Sequence, residues 1–343
     1  MRILNLLPGP VDVEPEVARA FAAAPCSHRG PEFQSRFETA KEHLRRLTGA
    51  AHATILPGSG TLANDAVAAQ LALLGGRGLV LANGEFGERL IDHAARHGMT
   101  FEALRVEWGR AFDAATLKSA IARRPTWVWA VHCETSTGGV NDLELLSELA
   151  ERAGARLAID AMSSLGAVPV DLRRVAWASS TSGKALRAYS GLAIVLHRQP
   201  AAGPVAARAL DLAAWRDGAV GSTISSNLLA ALAVALAHLR PDSRFARLAA
   251  TADALVPRLR AIGLESPTEG PTSPAVQTFR LPSELPAMRL GNELRERGVW
   301  VSFESGYLIE RNWIQLCLFG EPAATEVAEL PARLESAMVA CRG

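Results

Sequence analysis

A glycine-rich segment, residues 57–61 (PGSGT), is the first place where residue types and spacing suggest chemistry. It stands between a short apolar run and a longer amphipathic run, which predicts a strand turning into a helix. The backbone N–H groups of Ser59, Gly60 and Thr61 at such a helix start could bind a phosphate. Taken alone, the segment is better explained as a glycine-rich turn with Thr61 as an ordinary N-cap. The segment matches neither GxxxxGK[ST] nor GxGxxG, which disfavours a nucleoside triphosphate or a dinucleotide.

Two charged residues, Asp160 and Lys184, stand among apolar or small residues. Asp160 ends the apolar run 156–160, and open α/β sheets bind ligands beyond the carboxyl ends of their strands. Lys184 follows the hydroxyl-rich residues 179–183, and a buried lysine is a competent amine nucleophile and base. Taken singly, each has an ordinary explanation, as a helix-capping aspartate and a surface lysine.

Phe86 lies in the segment NGEFGER, residues 83–89, where flanking glycines could leave its ring uncovered for stacking on a ligand. Taken alone, such a phenylalanine more often belongs to the core. Together the segments offer amides for a phosphate, an aromatic face for a ring, an acid for a pyridinium nitrogen and a lysine for an aldehyde. Pyridoxal 5′-phosphate (PLP) needs these groups. The sequence therefore predicts a PLP site, and it predicts no metal site.

The elements that position these residues follow the alternation typical of βαβ units. Apolar runs predict strands at 53–56, 78–82, 126–132, 156–160 and 191–197. Amphipathic runs predict helices at 61–74, 85–97, 115–123 and 142–153. Gly49, Gly98 and Gly154 follow helical patterns, where left-handed caps are expected. The pattern predicts an α/β protein with a mostly parallel central sheet flanked by helices.

The alternation of predicted strands and helices changes after about residue 200. Helices are predicted at 227–239, 243–262, 286–297 and 323–339, and strands at 275–281, 299–303 and 313–318. The segment 265–274 (ESPTEGPTSP) reads as a loop or a domain junction. We therefore predict a large domain over residues 1–235 and a small α+β domain over residues 236–343.

Several motifs in a fixed order identify a family resemblance. They are LLPGP (6–10), HRGPEF (28–33), GSGTLAN (58–64), NGEFGER (83–89), HCETSTG (132–138) and IDAMSSLGAVPVD (159–171). The chain resembles the class V aminotransferases of PLP fold type I, the group of alanine–glyoxylate, serine–pyruvate and 2-aminoethylphosphonate–pyruvate aminotransferases. The resemblance covers most of residues 5–235.

The resemblance implies a role for each matching residue. Lys184 is expected to form the Schiff base with the cofactor and to move the proton during the reaction. Asp160 is expected to keep the pyridine nitrogen protonated, Phe86 to stack on the ring, and Thr135 to lie near the phenolic oxygen.

The cofactor's phosphate has its own expected contacts. The resemblance assigns it to the amides of residues 59–61 and to Ser182. Thr223, in GSTI (221–224), looks like the threonine that reaches a phosphate in the neighbouring subunit. A homodimer with shared active sites is therefore expected.

Three positions depart from the family's pattern. Gly183 stands where relatives have Gln or His before the lysine, and Ala176 where they have Asp. Gln315 takes the position of an arginine that binds the substrate's carboxylate or phosphonate, and an amide cannot supply a charged, bidentate fork. Arg311, on the same face of a regular strand, and Arg29 are the predicted substitutes, although surface ion pairs explain both residues as well.

Composition excludes some functions. The 36 basic and 35 acidic residues among 343 leave a net charge of +1, so no surface for nucleic acid is predicted. The longest apolar stretch, 228–239, is shorter than the roughly 20 residues that cross a bilayer. Residues 1–10 lack the features of a signal peptide. The four cysteines form no CxxC pair, so a reduced, cytoplasmic location is expected.

The predicted function is that of a PLP-dependent aminotransferase. It would move an amino group from a small amino donor to an oxo acid such as glyoxylate or pyruvate, through the Lys184 Schiff base. The departures at Gln315 and Gly183 leave open another PLP reaction on the same fold, such as that of a lyase, decarboxylase or desulfurase. They also leave open a PLP-binding protein without catalysis.

Overall fold

A computed structural model describes residues 3–215 and 221–342 of the chain. The strands are β1 (Leu4–Asn5), β2 (His52–Pro57), β3 (Arg77–Ala82), β4 (Thr100–Arg105), β5 (Trp127–Val131), β6 (Cys133–Glu134), β7 (Gly139–Val140), β8 (Arg156–Asp160), β9 (Trp177–Thr181), β10 (Leu192–His197), β11 (Val276–Arg280), β12 (Val299–Trp300) and β13 (Trp313–Cys317). The helices are α1 (Pro15–Ala22), α2 (Pro31–Thr48), α3 (Gly60–Leu74), α4 (Glu85–Arg96), α5 (Ala114–Ile121), α6 (Leu143–Ala153), α7 (Ser226–His238), α8 (Pro241–Ala261), α9 (Ala287–Glu296), α10 (Gly306–Arg311) and α11 (Ala324–Arg342). None of the helices in these two ranges is long and apolar enough to span a bilayer.

The central sheet has the strand order β2-β10-β9-β8-β5-β3-β4. Within this sheet the adjacent strands β9, β8, β5, β3 and β4 run parallel to one another. β10 runs antiparallel to both β2 and β9. The predicted mostly parallel sheet is therefore confirmed. Because β2 runs in the same direction as the parallel group, the carboxyl ends of β2, β3, β5, β8 and β9 share one edge, where such sheets bind ligands.

The strands match the sequence patterns where burial is continuous. β8 has the predicted bounds and β5 is buried along its whole length, as expected of a strand covered on both faces. The predicted caps also hold, since Gly49, Gly98 and Gly154 have φ values of 71°, 64° and 73°. These left-handed residues end α2, α4 and α6, which lets the chain turn back into the sheet.

Some elements differ from the expectation. β4 and β9 were not among the predicted strands, and the helices α1, α2 and α10 were not specified. The predicted strand 299–303 ends at Trp300, and the chain forms α10 before β13 begins at Trp313. The stretch leading to β13 is therefore helical.

The buried apolar residues form two large clusters. One covers the central sheet and its helices from Val17 to Leu236. The other lies mainly between Leu248 and Cys341 and also includes Leu4 and Leu6, because β1 pairs with β12. The division at residues 235 and 236 stays a prediction, and the two clusters are the observation that supports it.

Candidate active site

A pocket of about 320 Å³ opens at the carboxyl edge of the sheet. It is lined by Pro8, Gly9, Phe86, Arg89, Thr135, Thr181, Gly183, Lys184, Ser190, Ser305, Tyr307 and Gln315. The sheet topology thus brings together residues from segments that are far apart in the sequence. The predicted residues Phe86, Thr135, Lys184 and Gln315 all face this one space.

Lys184 is held by a chain of hydrogen bonds. Its Nζ donates to Oγ of Ser163 at 3.0 Å, and that Oγ is also hydrogen-bonded to Oγ1 of Thr135. Burial lowers the pKa of the Lys184 ammonium, and the nearby Asp160 carboxylate opposes this shift only in part. A lowered pKa increases the share of neutral amine, which is the nucleophilic form.

Asp160 ends β8 and is almost completely buried, at 4% exposure. Its Oδ2 accepts a hydrogen bond from the side-chain amide of Asn64, and its Oδ1 accepts one from the backbone N–H of Met162, both at 2.9 Å. Asn64 is itself fixed, since its Oδ1 accepts a hydrogen bond from Oγ of Ser179 at 2.5 Å. The carboxylate is therefore oriented by neutral donors and has no arginine partner among the described residues.

Phe86 stands at the start of α4, and its position is set by the buried Glu134. The Glu134 carboxylate accepts hydrogen bonds from the N–H groups of Phe86 at 3.3 Å and Gly87 at 3.0 Å. A Cβ at Gly84 would lie 2.4 Å from Cγ of Glu134, so only glycine fits there. The half-buried ring of Phe86 has its centroid 5.3 Å from Nζ of Lys184. The ring therefore lies beside the lysine, and its stacking on the cofactor stays a prediction.

The segment 57–61 forms the start of α3, with Ser59 rather than Thr61 as the N-cap. The first helical donor with a backbone partner is Ala63, whose N–H donates to the Ser59 carbonyl. Within the described chain, the N–H groups of residues 60–62 have no partner. A Cβ at Gly60 would lie 2.3 Å from Sδ of Met162, so glycine lets α3 approach the loop after Asp160. These free amides fit a phosphate.

The comparisons with known proteins decide the family. The family described as "Aminotransferase class-V" matches residues 16–207. A 2-aminoethylphosphonate–pyruvate transaminase of Pseudomonas fluorescens is 35% identical over 252 residues, which cover 68% of each chain. A transaminase of the same name from Pseudomonas aeruginosa is 29% identical over 97% of this chain and 95% of its own. The solved alanine–glyoxylate aminotransferase of Nostoc sp. superposes with a TM-score of 0.90, is 28% identical and covers 98% of this chain and 96% of its own.

The chain belongs to the class V aminotransferase family. It is therefore a PLP-dependent transaminase of fold type I. The residues in the pocket and at the adjoining strand and helix ends fit that cofactor, because they combine a lysine, a buried acid, a half-buried aromatic ring and unpaired helix amides.

The segment before the lysine differs from the family's pattern for a steric reason. A Cβ at Gly183 would lie 2.1 Å from Oγ and 2.9 Å from Cα of Ser190, so the Gln or His of relatives does not fit beside Ser190 as placed. Ser182 is buried, and its hydroxyl donates to the Tyr189 carbonyl at 2.7 Å. The neighbouring Thr181 lines the pocket of this aminotransferase, and the contact of Ser182 with phosphate stays a prediction.

Arg311 does not lie where a regular strand would place it. It ends α10, and Asn312 takes a left-handed conformation with φ 55° before β13 begins. The guanidinium of Arg311 stacks on Trp108, 3.8 Å from the ring centroid, and on Trp313, at 5.3 Å. The premise for Arg311 as a substitute is therefore wrong, because the strand is not regular, and Arg311 does not line the pocket.

Three other predicted or noted positions lie apart from the pocket. Ala176 precedes β9 and is at the opposite end of that strand from Lys184, so the departure at Ala176 does not touch the site. Arg29 and Thr223 are exposed and do not line the pocket. Their roles stay predictions.

Gln315 lines the pocket but is fully buried. Its Nε2 donates to the carbonyl of Thr135 and, at 2.9 Å, to Oγ1 of Thr278. Its Oε1 has no hydrogen-bond partner in the described part of the chain. Both N–H bonds of the amide are thus used inside the protein, and an unpaired acceptor remains.

Five residues of the site were not singled out from the sequence: Asn64, Arg89, Glu134, Ser163 and Tyr307. Four of them belong to the quoted motifs, so their nearness to a predicted residue was the available signal. Asn64 is one helical turn after Gly60, and Arg89 is three residues after Phe86, spacings that share a helix face. Tyr307 carries no such signal, because only the fold brings α10 to the pocket.

Proposed function

We propose that this aminotransferase transfers the amino group of a small amino donor to an oxo acid, either pyruvate or glyoxylate, with Lys184 as the lysine that condenses with the cofactor's aldehyde. The observation that carries the proposal is the meeting of Lys184, Asp160 and the free amides of α3 at one edge of the sheet. The printed names of the relatives, which include pyruvate and glyoxylate, support the choice of acceptors.

Different residues would bind different parts of the cofactor. The amides of residues 60–62 would bind its phosphate, Asp160 its ring nitrogen and Phe86 the face of its ring. PLP, once bound, supplies the electron sink for a carbanion at the donor's carbon. Asp160 suits this task because a buried carboxylate stabilises a proton on an opposing nitrogen more strongly than a solvated one.

Lys184 then acts as the proton carrier. Its amine is oriented by Oγ of Ser163, and its lowered pKa increases the share of neutral amine that can accept a proton. Thr135 orients Ser163 in turn. The hydrogen-bond chain keeps Nζ beside the Phe86 ring, where it would be within reach of a cofactor held against that ring.

We extend the proposal to a cytoplasmic homodimer. The four cysteines carry free thiols, as expected in a reducing compartment. Thr223 is exposed and does not line the pocket of its own chain, so its family role requires a second copy. Light scattering of the holoenzyme tests the dimer, and a monomer at micromolar concentration that is fully active contradicts it.

Borohydride reduction of the holoenzyme, followed by peptide mass spectrometry, tests the role of Lys184. The chain has three lysines, and we expect the cofactor's mass on the peptide with Lys184 and none on those with Lys41 or Lys118. K184A should lose transamination, whereas K118A, a change on the exposed face of α5, should keep it. Label on another lysine, or full activity of K184A, overturns the proposal.

The product of a single half-reaction separates transamination from other PLP chemistry. With an amino donor and no oxo acid, one equivalent of pyridoxamine phosphate should be recovered after denaturation. Recovery of unchanged PLP, together with consumption of the donor, would instead indicate a lyase or a decarboxylase.

A further inference from the structure

Among the described residues that line the pocket, the cations are Lys184 and Arg89. Lys184 is committed to the cofactor under the proposed function, on which this inference rests. We propose that Arg89 binds the anionic group of the amino donor, and that the donor is a compact amine bearing a carboxylate or a phosphonate. Arg89 would thus replace the family arginine that is missing at Gln315.

Gln315 itself cannot bind the anion in the observed arrangement. Both of its N–H bonds point to protein acceptors, the Thr135 carbonyl and the Thr278 hydroxyl. The remaining atom, Oε1, is an acceptor, and an acceptor repels a carboxylate or phosphonate oxygen. The wall formed by β13 is therefore neutral and unsuited to an anion.

The two arginines that the sequence suggests as substitutes lie outside the pocket. Arg311 is stacked on Trp108 outside the pocket, and Arg29 is exposed on the loop before α2. Apart from Lys184, the positive charge of the pocket therefore comes from α4 and not from β13.

Arg89 has free donors in a suitable place. Its Nε donates to Glu85 at 3.0 Å, one turn earlier on α4, which orients the guanidinium. Its two Nη groups have no hydrogen-bond partner in the described part of the chain. The guanidinium carbon lies 4.9 Å from the centroid of the Phe86 ring. Nζ of Lys184 lies 5.3 Å from the same centroid. A planar fork with two free amino groups matches a carboxylate or a phosphonate.

These distances limit the size of the donor. Because both groups lie near the same ring, Nζ of Lys184 and the guanidinium carbon are no more than about 10 Å apart. A donor with two or three carbons between its amine and its anion would fit that interval. The side chain of Arg89 is 55% exposed, so water screens the interaction, and we expect a moderate effect, about tenfold in KM.

The test compares R89Q with R96Q in the holoenzyme. Arg96 is a matched control, since it lies on the same helix and pairs with Asp92 four residues earlier, at 2.6 Å, but does not line the pocket. The donors are 2-aminoethylphosphonate, 3-aminopropionate and propylamine, which has an amine but no anionic group. R89Q should raise KM about tenfold for whichever anionic donor the enzyme uses and leave kcat and propylamine turnover within twofold, whereas R89K should keep part of the effect. R96Q should match the wild type.

Calorimetry with ethylphosphonate, which has no amine and cannot react, gives a second readout. We expect binding to the wild-type holoenzyme and to R96Q, and binding about tenfold weaker to R89Q. Equal affinity in R89Q, or an equal loss of propylamine turnover, overturns the assignment of Arg89. A wild-type enzyme that binds ethylphosphonate but transaminates no donor would instead contradict the proposed function alone.

Discussion

Replacing Asn64 by leucine tests how the buried acid of the site is held. The side chains share a branched shape, although leucine is the larger, but leucine offers no donor to Oδ2 of Asp160 and no acceptor to the Ser179 hydroxyl. Asp160 would keep only the hydrogen bond from the Met162 N–H. The variant therefore removes one of the two described donors that orient the carboxylate.

The magnitude follows from the loss of a hydrogen bond to a charged, buried group, about 1.5–3 kcal/mol. Without the Asn64 donor the Asp160 carboxylate is free to turn away from the ring nitrogen, so up to that amount is lost from the free energy of cofactor binding. Because each 1.4 kcal/mol is a factor of ten, the apparent Kd of PLP should rise about 10- to 150-fold in N64L. Equilibrium dialysis of the apoprotein against PLP measures this change.

The control is Q70L, a change on the same helix. Gln70 is buried, and its amide exchanges two hydrogen bonds with the backbone of Ala202, at 2.8 and 2.9 Å, away from the pocket. Q70L and N64L should both lower the urea midpoint of the apoprotein, but only N64L should weaken PLP binding. If N64L binds PLP within threefold of Q70L, Asn64 does not orient a cofactor-binding carboxylate, and the reasoning is refuted.

Two further outcomes concern stability. G183A should lose about 1–3 kcal/mol of unfolding free energy, because its Cβ overlaps Ser190. In the double variant, S190G should restore part of that loss. A G183A protein with the wild-type urea midpoint contradicts the steric argument. Burial lowers the pKa of both His132 and His197 to about 4, so the folded chain keeps them neutral while the unfolded chain protonates them near pH 6.5. The unfolded state then binds more protons, and stability should fall from pH 6.5 towards pH 4 by up to about 3 kcal/mol per histidine; equal urea midpoints at pH 7 and pH 5 would rule this out.

Burial explains which strands the sequence could predict. β3, β5, β8 and β10 are covered on both faces and therefore appear as continuous apolar runs. β9 escapes that criterion, because its buried positions are small and hydroxyl-bearing, with Ser179 hydrogen-bonded to Asn64. β4 is an edge strand whose residues are half-buried or exposed, so its apolar pattern is weak.

The candidate site was predictable to the extent that its residues follow strand ends. Asp160 ends β8 and Lys184 comes three residues after β9, and parallel strands bring such positions to one edge. Arg311 shows the limit of spacing, because a short helix and the left-handed Asn312 interrupt the strand on which the inference depended. The two partners of the Gln315 amide, Thr135 and Thr278, come from two separate segments and can be identified only in three dimensions.

The pocket is lined by two segments that lie far apart in the sequence. Pro8 and Gly9 stand on one side, held through β1 and through the Leu6 carbonyl, which accepts the N–H of Cys317, while Gln315 comes from β13. During synthesis from the N-terminus, the strands of the central sheet emerge long before residues 298–317. Residues 4–6 therefore lack their partners until residues 298–317 have been made. The cofactor's ring site can assemble before that point, whereas the substrate pocket is completed only after β13 has emerged.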